Sequence, residues 1–301
     1  MKPLAPLPRP LPPRRLALAA PAGVFDEARL EQCLAVLGDL APRIHLRRDP
    51  EILAREGYLA GGDDLRAGHL ERLFTDPEVE MVLAVRGGFG CSRLLPRLDL
   101  DRLASSRTLI MGFSDLTALL DPLAAKGLIT LHGPTLSQLP RLDEPSRRQV
   151  RELLDGRPPW PAVLEGRTLA GGVARGPLLG GNLTLLTHLV GTPYLPDLEG
   201  AVLFLEDTGE APYRLDRMLT QLELAGALGK VAGVALGGFG PQGETTDEVL
   251  EALWRRLEPL GVPVVAGLPF GHGSANRILP LGALAELDGD RGRLTVGVEL
   301  G

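Results

Sequence analysis

The chain has 301 residues and 44% apolar content, enough for one or two domains with a substantial core, and its net charge of −6 argues against nucleic acid as a partner. Two cysteines are too few for a disulfide framework or a cysteine-rich metal site, and they indicate buried thiols in a reducing compartment. The sequence contains no uninterrupted run of about 20 apolar residues, the length that a membrane-spanning helix requires. We therefore expect a soluble, cytoplasmic protein with no membrane partner.

Residues 1–14 contain proline at every second or third position, which predicts a disordered proline-rich tail and not the apolar segment of a signal peptide. From residue 15 to 148, apolar strands alternate with helices, which predicts an α/β domain built on a parallel sheet covered on both faces. The predicted strands are Leu16–Ala20, Arg43–Arg47, Val79–Val85, Leu109–Met111 and Leu128–His132, and the helices are Phe25–Leu40 and Asp63–Phe74.

In such sheets ligands bind beyond the carboxyl ends of the strands. Pro21, Gly87, Gly88, Ser114 and His132 would all lie at that edge.

The second half of the chain has a different pattern. Residues 149–176 are rich in Pro, Gly and Arg with weak periodicity, which predicts a linker. Residues 177–301 are predicted to form a β-rich C-terminal domain in the form of a partly closed barrel. Its predicted strands are Ala201–Leu205, Val231–Leu236, Val262–Ala266, Leu284–Leu287 and Leu294–Val298, with helices at Arg214–Ala225 and Thr246–Leu257.

The run Gly112-Phe-Ser-Asp115 ends a short apolar strand, and a helical pattern begins at once. A serine on such a sharp turn presents its hydroxyl beyond the sheet edge, beside the free N–H groups of a helix N-terminus. This arrangement makes Ser114 a candidate nucleophile. The alternative is that Ser114 or Asp115 only caps the helix, since both residue types favour that position and Leu116 replaces the second glycine of the usual G-x-S-x-G motif.

A serine nucleophile needs a base, and five histidines are available. His272 follows an apolar strand and is flanked by glycines that leave its imidazole accessible, which makes it the best candidate. His45 and His69 lie in charged segments typical of the surface, and His188 lies in an apolar segment typical of the core. His132 ends a strand, where a structural role and a functional role are both open. The orienting acid is Glu206, which ends a buried strand, with Asp207 and Glu210 as alternatives.

Six motifs occur in order at compatible spacing. They are Gly87-Gly-Phe-Gly90 with Arg93-Leu-Leu95, Gly112-Phe-Ser-Asp115 with Thr117-Ala-Leu119, Leu131-His-Gly-Pro134, Gly180-Gly-Asn-Leu183, Leu205-Glu-Asp-Thr-Gly-Glu-Ala-Pro-Tyr-Arg-Leu-Asp-Arg-Met-Leu219, and Gly271-His-Gly-Ser-Ala-Asn276 with Pro280 and Gly282. Together they resemble the LD-carboxypeptidase family of serine peptidases, which includes the microcin C immunity peptidases. The likeness extends from about Leu16 to Leu287.

The resemblance implies a Ser–His–Glu triad of Ser114, His272 and Glu206, at a site between the nucleophile domain and a swivelling, barrel-like C-terminal domain. It implies removal of the terminal D-Ala from murein tetrapeptide during cell-wall recycling, by a homodimer that needs no metal or organic cofactor. The backbone amides of Asp115 and Gly88 are the expected oxyanion donors. Gly88-x-Gly90-x-x-Arg93 lacks the third glycine of a dinucleotide-binding loop, which argues against such a cofactor.

Two other functions are open. An immunity-type hydrolase of peptidyl- or aminoacyl-nucleotides needs an aromatic surface for the base, and only 4% of this chain is aromatic. A non-catalytic binding protein for muropeptides or nucleotides is disfavoured by the presence of all three triad candidates. The sequence does not define the third residue of the preferred peptide. The terminal carboxylate of that peptide has three candidate partners, which are Arg86, Arg93 and Arg214.

Overall fold

The computed structural model describes residues 15–106, 108–157 and 159–297, so the predicted tail over 1–14 lies outside the described residues. Five described helices begin at an Asp, Asn or Thr whose side chain accepts a hydrogen bond from a first-turn N–H group, as is typical of helix N-termini. The helices are α1 (Glu27–Leu40), α2 (Asp63–Thr75), α3 (Leu100–Ser105), α4 (Thr117–Ala125), α5 (Glu144–Leu154), α6 (Leu183–His188), α7 (Pro212–Leu224) and α8 (Asp247–Leu257).

Two sheets organise the described part of the chain. The first has six strands in the order β12-β5-β4-β3-β1-β2, and the second has eight in the order β6-β14-β13-β8-β9-β10-β11-β7. The strands are β1 (Arg15–Ala19), β2 (His45–Arg47), β3 (Met81–Ala84), β4 (Leu109–Gly112), β5 (Thr130–His132), β6 (Ala162–Glu165), β7 (Arg167–Ala170), β8 (Val173–Asn182), β9 (Val202–Glu206), β10 (Gly233–Leu236), β11 (Val264–Ala266), β12 (Leu279–Leu281), β13 (Leu284–Asp288) and β14 (Arg293–Val296).

The first sheet is parallel from β2 to β5 and is buried on both faces, which confirms the predicted α/β class. Successive side chains of a strand point to opposite faces. Accordingly, Leu16 and Leu18 of β1 pack in one hydrophobic cluster, and Ala17 and Ala19 pack in the other. This double burial explains why the strand sequences are continuously apolar.

The second sheet is barrel-like, as predicted. Its central strands β8, β9, β10 and β11 are parallel, while β13, β14, β6 and β7 join in antiparallel pairs. Of the last strand predicted here, over 294–298, the final residue lies outside the described residues.

The prediction of an irregular linker over 149–176 is wrong in its secondary structure. Residues 149–154 complete α5, and the remainder contains β6, β7 and the start of β8. Both β6 and β7 are edge strands of four residues with partly exposed side chains, so the sequence shows little alternation of apolar and polar residues there. The domain boundaries at 148 and 177 stay predictions.

The strand β12 was not predicted. It comes from the C-terminal half of the chain, yet it pairs antiparallel with β5 of the first sheet, with Leu279 opposite His132. Because β12 follows the His272 loop by only a few residues, this pairing ties that loop to the sheet that carries Ser114.

The carboxyl ends of β1, β3, β4 and β5 meet at one edge of the first sheet, as predicted, because these strands are parallel. Among the described helices, none is both long and apolar enough to cross a membrane.

Candidate active site

Ser114 occupies a strained turn between β4 and α4. Its φ of 62° is the only positive value at a non-glycine residue in the part of the chain that the structure describes. A side chain in this left-handed region costs about 1–3 kcal/mol, and such strain concentrates at functional sites. The Ser114 side chain is partly exposed. In the described structure, the residues at the N-cap positions here are Phe113 and Leu116, and neither position has a side-chain capping hydrogen bond. The turn therefore presents the hydroxyl outward, and the capping alternative is not supported.

Gly87 lies directly against Ser114. A Cβ atom at Gly87 would lie 2.9 Å from the Ser114 Cβ and 3.0 Å from its Oγ, so only glycine fits there. The same position is 3.5 Å from the backbone nitrogen of Asp115. The loop after β3 and the turn after β4 thus bring backbone groups together around the serine hydroxyl. Gly88, the next residue, has a φ of 123°.

The side chain of Asp115 is turned inward. Its Oδ2 accepts a hydrogen bond of 2.8 Å from the Cys91 backbone N–H, which links the turn at Ser114 to the end of the Gly87–Gly90 loop. Burial raises the pKa of the Asp115 carboxyl, while the hydrogen bond from Cys91 opposes the shift. The Asp115 carboxylate is therefore engaged by Cys91 in the protein interior.

Glu206 is the last residue of β9, and His272 lies in the segment that follows β11. Their side chains form a pair that is largely shielded from solvent. Glu206 Oε2 lies 2.6 Å from His272 Nδ1, and the two side chains are 0% and 17% exposed. A Cβ atom at Gly271 would lie 2.9 Å from Glu206 Oε2, so glycine at 271 permits this approach. With Nδ1 engaged, Nε2 is the ring nitrogen available for proton transfer.

Burial alone would lower the pKa of His272, but the negative charge and hydrogen bond of Glu206 outweigh it and raise the pKa above its ordinary value. The ring of Phe113, the residue before Ser114, meets the His272 imidazole edge-on with centroids 4.8 Å apart. The fold therefore brings the predicted base into contact with the residue that precedes the predicted nucleophile.

The two alternative acids have other partners. Asp207 accepts hydrogen bonds from Asn182, from both donors of Thr184 and from the Thr208 N–H, so it organises the start of α6. Glu210 pairs with Arg214 near the surface. The geometry favours Glu206 over both as the partner of His272.

Asn182 connects the two sides of the site. Its side-chain Nδ2 donates to Glu206 Oε1 at 3.3 Å, and its backbone N–H donates to Thr117 Oγ1 at 3.0 Å. Thr117 begins α4, one turn after Ser114. In the sequence, Asn182 is recognisable only as part of the Gly180-Gly-Asn-Leu183 motif. Its contact with Thr117 joins residues 65 positions apart, which no local pattern reveals.

His132 is fully buried, and both of its ring nitrogens lack a hydrogen-bond partner among the described residues. Burial, together with the nearby His272, lowers its pKa to about 3. Two other interpretations of histidines were wrong: His69 is buried and lies 3.2 Å from Asp49, whereas His188 is exposed at the end of α6.

Asp49, Glu51 and His69 form one group whose ligand atoms lie within 4.8 Å of one another, as in a metal site. Asp49 pairs with Arg47 and Glu51 with Arg72, so arginines already neutralise both carboxylates. This group is not part of the Ser114 site.

Comparison with known proteins is consistent with this geometry. Residues 16–133 match the model of the LD-carboxypeptidase N-terminal domain, and residues 175–287 match that of the C-terminal domain. A putative carboxypeptidase of Synechocystis is 46% identical over 80% of this chain and 80% of its own. The murein tetrapeptide carboxypeptidase of Pseudomonas aeruginosa is 37% identical over 92% of this chain and 94% of its own.

Two solved structures extend the comparison. The muramoyltetrapeptide carboxypeptidase of Oxalobacter formigenes superposes with a TM-score of 0.82 at 31% identity, covering 95% of this chain and 100% of that one. The microcin C7 self-immunity protein MccF superposes with a TM-score of 0.84 over 99% of both chains, but at 22% identity it shares the fold alone. Because these matches extend over nearly the whole described chain, they show that this protein belongs to the LD-carboxypeptidase family and is a carboxypeptidase.

Proposed function

We propose that this carboxypeptidase is a serine-type enzyme that releases the C-terminal D-Ala of murein tetrapeptide. One observation carries the proposal: a Glu206–His272 pair, 2.6 Å apart, packs against Phe113, the residue before a serine held at a φ of 62°. A strained serine, a histidine and a buried acid are the components of nucleophilic amide cleavage. The murein substrate is supported by the names of the relatives from P. aeruginosa and O. formigenes.

In the proposed reaction, Ser114 Oγ attacks the carbonyl carbon of the amide before D-Ala while His272 Nε2 takes its proton. Glu206 holds the Nδ1–H tautomer and stabilises the imidazolium that forms. His272 then returns the proton to the leaving nitrogen, and D-Ala departs from the acyl-enzyme. Water, deprotonated by His272, hydrolyses the ester and regenerates Ser114.

Negative charge develops on the carbonyl oxygen during both attacks. We propose that the backbone N–H groups of Gly88 and Asp115 stabilise it, since preorganised donors at such a position supply a large part of the rate. Gly87 lies against the Ser114 side chain, and this close approach supports a donor role for the N–H group of the next residue, Gly88. The Asp115–Cys91 hydrogen bond supports a fixed separation between the two donors.

Arg86 is the best supported of the three cations proposed for the terminal carboxylate. Arg93 pairs with Asp63 and Arg214 with Glu210, whereas Arg86 has no carboxylate partner within the described ranges. Its Nε and Nη1 donate to the backbone oxygens of Gly87 and Val24, and these bonds leave Nη2 beside Gly88. An unneutralised guanidinium at this place suits a small anionic group.

The proposal is tested by stereochemistry. The enzyme is incubated with L-Ala-γ-D-Glu-diaminopimelyl-D-Ala and with the same peptide ending in L-Ala, and released alanine is quantified by chiral chromatography. Because Ser114 and the oxyanion donors define the plane of the scissile amide, only the D-centre aims its carboxylate at the cation. An unpaired buried group supports discrimination of about 10⁴-fold.

Comparable release from the two peptides would contradict LD specificity. No release from either, by folded protein, would favour the alternative of an immunity-type hydrolase, for which the fold of MccF is the supporting observation. Release of the free amino acid from an aminoacyl-nucleotide amide then tests that alternative. The homodimer stays a prediction, to be checked by light scattering.

A further inference from the structure

A pair of buried amide side chains holds the loop that carries His272. Gln138 Nε2 donates to the backbone oxygen of Gly271 at 3.1 Å and to that of Gly273 at 2.9 Å. The two oxygens belong to the residues on either side of His272. Gln138 itself belongs to the segment after β5, so it reaches the loop from 133 to 135 residues away in the chain.

Asn276 completes this arrangement. Its Nδ2 donates to Gln138 Oε1 at 2.8 Å, and its Oδ1 accepts the Gly271 N–H at 3.1 Å. Gln138 and Asn276 are 1% and 0% exposed, so water does not compete for these groups. Rotating either amide by 180° would oppose donor to donor or acceptor to acceptor, which makes the orientation of both side chains unambiguous. We call this unit the amide clamp.

The amide clamp and Glu206 act on different parts of His272. Glu206 bonds Nδ1 and sets the rotation of the ring, whereas the clamp bonds the backbone on both sides and sets the position of the Cα atom. The loop has a separate anchor, since Phe270 O accepts the Gly238 N–H at 3.1 Å. Loss of the clamp therefore displaces His272 without removing the attachment of the loop to β10.

We propose that Gln138, through Asn276 and the two backbone oxygens beside His272, is a positioning residue for the general base. This inference rests on the proposed serine mechanism. Proton transfer from Ser114 to His272 requires contact within hydrogen-bond distance, and a displacement of about 1 Å lowers the rate by about 10²-fold. The clamp does not touch the substrate, so it affects the chemical step more than binding.

The test compares wild type with Gln138→Met, which keeps the length of the side chain and removes its donors. The expected result is a kcat lower by about 10²-fold with KM changed less than threefold, because the base is displaced while the binding surface is intact. Gln149→Met is the matched control. Gln149 of α5 accepts the Ile278 N–H at Oε1, 3.0 Å away, so it also bonds the backbone shortly after His272 but has no bond to the residues on either side of His272. The control is expected to retain kcat within threefold.

Two further measurements separate this inference from the proposed substrate. The rate at which a small fluorophosphonate labels Ser114 depends on the base and not on the peptide, and Gln138→Met is expected to slow it by about the same factor as kcat. Hydrogen exchange of residues 270–276 is expected to become faster in Gln138→Met and to stay unchanged in Gln149→Met. Failure of wild type to release D-Ala would reject the substrate and leave these two comparisons valid.

The inference is overturned if Gln138→Met, folded, labels Ser114 within threefold of wild type. It is also overturned if Gln149→Met loses as much activity as Gln138→Met, because both changes would then act only through stability. Should Gln138→Met unfold, Gln138→Asn replaces it, since that variant keeps a neutral amide but is one methylene shorter, which withdraws the amide from the Gly271 and Gly273 oxygens. Melting temperatures of all variants establish that the comparison is made on folded protein.

Discussion

Two histidines, the partly buried His272 and the fully buried His132, contact the same phenylalanine ring and have opposite properties. His272 and His132 meet Phe113 with centroid distances of 4.8 and 5.9 Å. His272 has a carboxylate at 2.6 Å and a raised pKa, whereas His132 has no hydrogen-bond partner in the described structure and a pKa lowered by burial to about 3. Burial disfavours the charged form of both rings, and at His272 the nearby carboxylates, Glu206 foremost, reverse the outcome.

The difference separates the proposed base from a packing residue. His132 packs edge-on against Phe204 and Phe270, and Leu279 of β12 pairs with it, so it acts as an aromatic spacer between the two halves of the site. His272 keeps 17% of its side chain exposed and can exchange protons. Because both histidines have aromatic neighbours, such neighbours do not distinguish a candidate base from a packing residue. The carboxylate partner of His272 does distinguish them.

The largest expected effect is that of His272→Ala. Removing the base of a serine triad costs roughly 10⁴- to 10⁶-fold in kcat, because no other group takes the serine proton. The release of D-Ala from the tetrapeptide at saturating substrate measures the loss. Retention of one tenth of wild-type kcat would show that His272 is not the base.

Glu206→Gln is expected to cost about 10⁴-fold in kcat, since the amide keeps the shape but removes the charge that fixes the imidazole tautomer. Steady-state kinetics of this variant, beside Asp207→Asn, check the choice between the adjacent acids. Because Asp207 bonds the start of α6 and not His272, a larger loss in Asp207→Asn would reject the assignment.

A smaller effect concerns the pH dependence of the rate. His272 acts as a base only when neutral, and Glu206 raises its pKa, so kcat/KM should fall as the pH drops through a value above the ordinary histidine pKa of about 6.5. Glu206→Gln removes the largest of the effects that raise the His272 pKa, so the residual activity should persist to lower pH than in wild type. A pH–rate profile in which the acidic limb does not move would contradict the role of Glu206.

The smallest effect is expected at His132. His132→Leu removes a buried ring with two unpaired nitrogens, each carrying a desolvation cost of about 1–3 kcal/mol, and loses aromatic contacts worth about 0.5–1.5 kcal/mol each. We expect kcat within threefold of wild type and a melting temperature that does not fall. A loss of kcat comparable to that of His272→Ala would erase the distinction between the two histidines.

Much of this site could be predicted from the sequence because its signals are local. A buried strand followed at once by Gly112-Phe-Ser-Asp115 indicates an outward serine, and glycines on both sides of His272 indicate an accessible imidazole. The parallel strands of the first sheet were predictable for the same reason, since double burial makes them continuously apolar.

The remainder depends on contacts between distant segments. Glu206 and Asp207 are adjacent acids at a strand end, and only the fold shows which of them faces His272. The environment of His132 and the role of Gln138 likewise depend on residues more than 60 positions away. Strand β12 has three residues including a proline, too short and too atypical for a strand pattern.

The most direct test of the central claim, that Ser114 is the nucleophile, is the rate of D-Ala release from murein tetrapeptide by Ser114→Ala. Alanine tolerates a φ of 62° about as poorly as serine, so the melting temperature should match that of wild type. We predict a loss of about 10⁴-fold or more, because alanine has no oxygen to attack the amide. Activity within tenfold of wild type would contradict the claim.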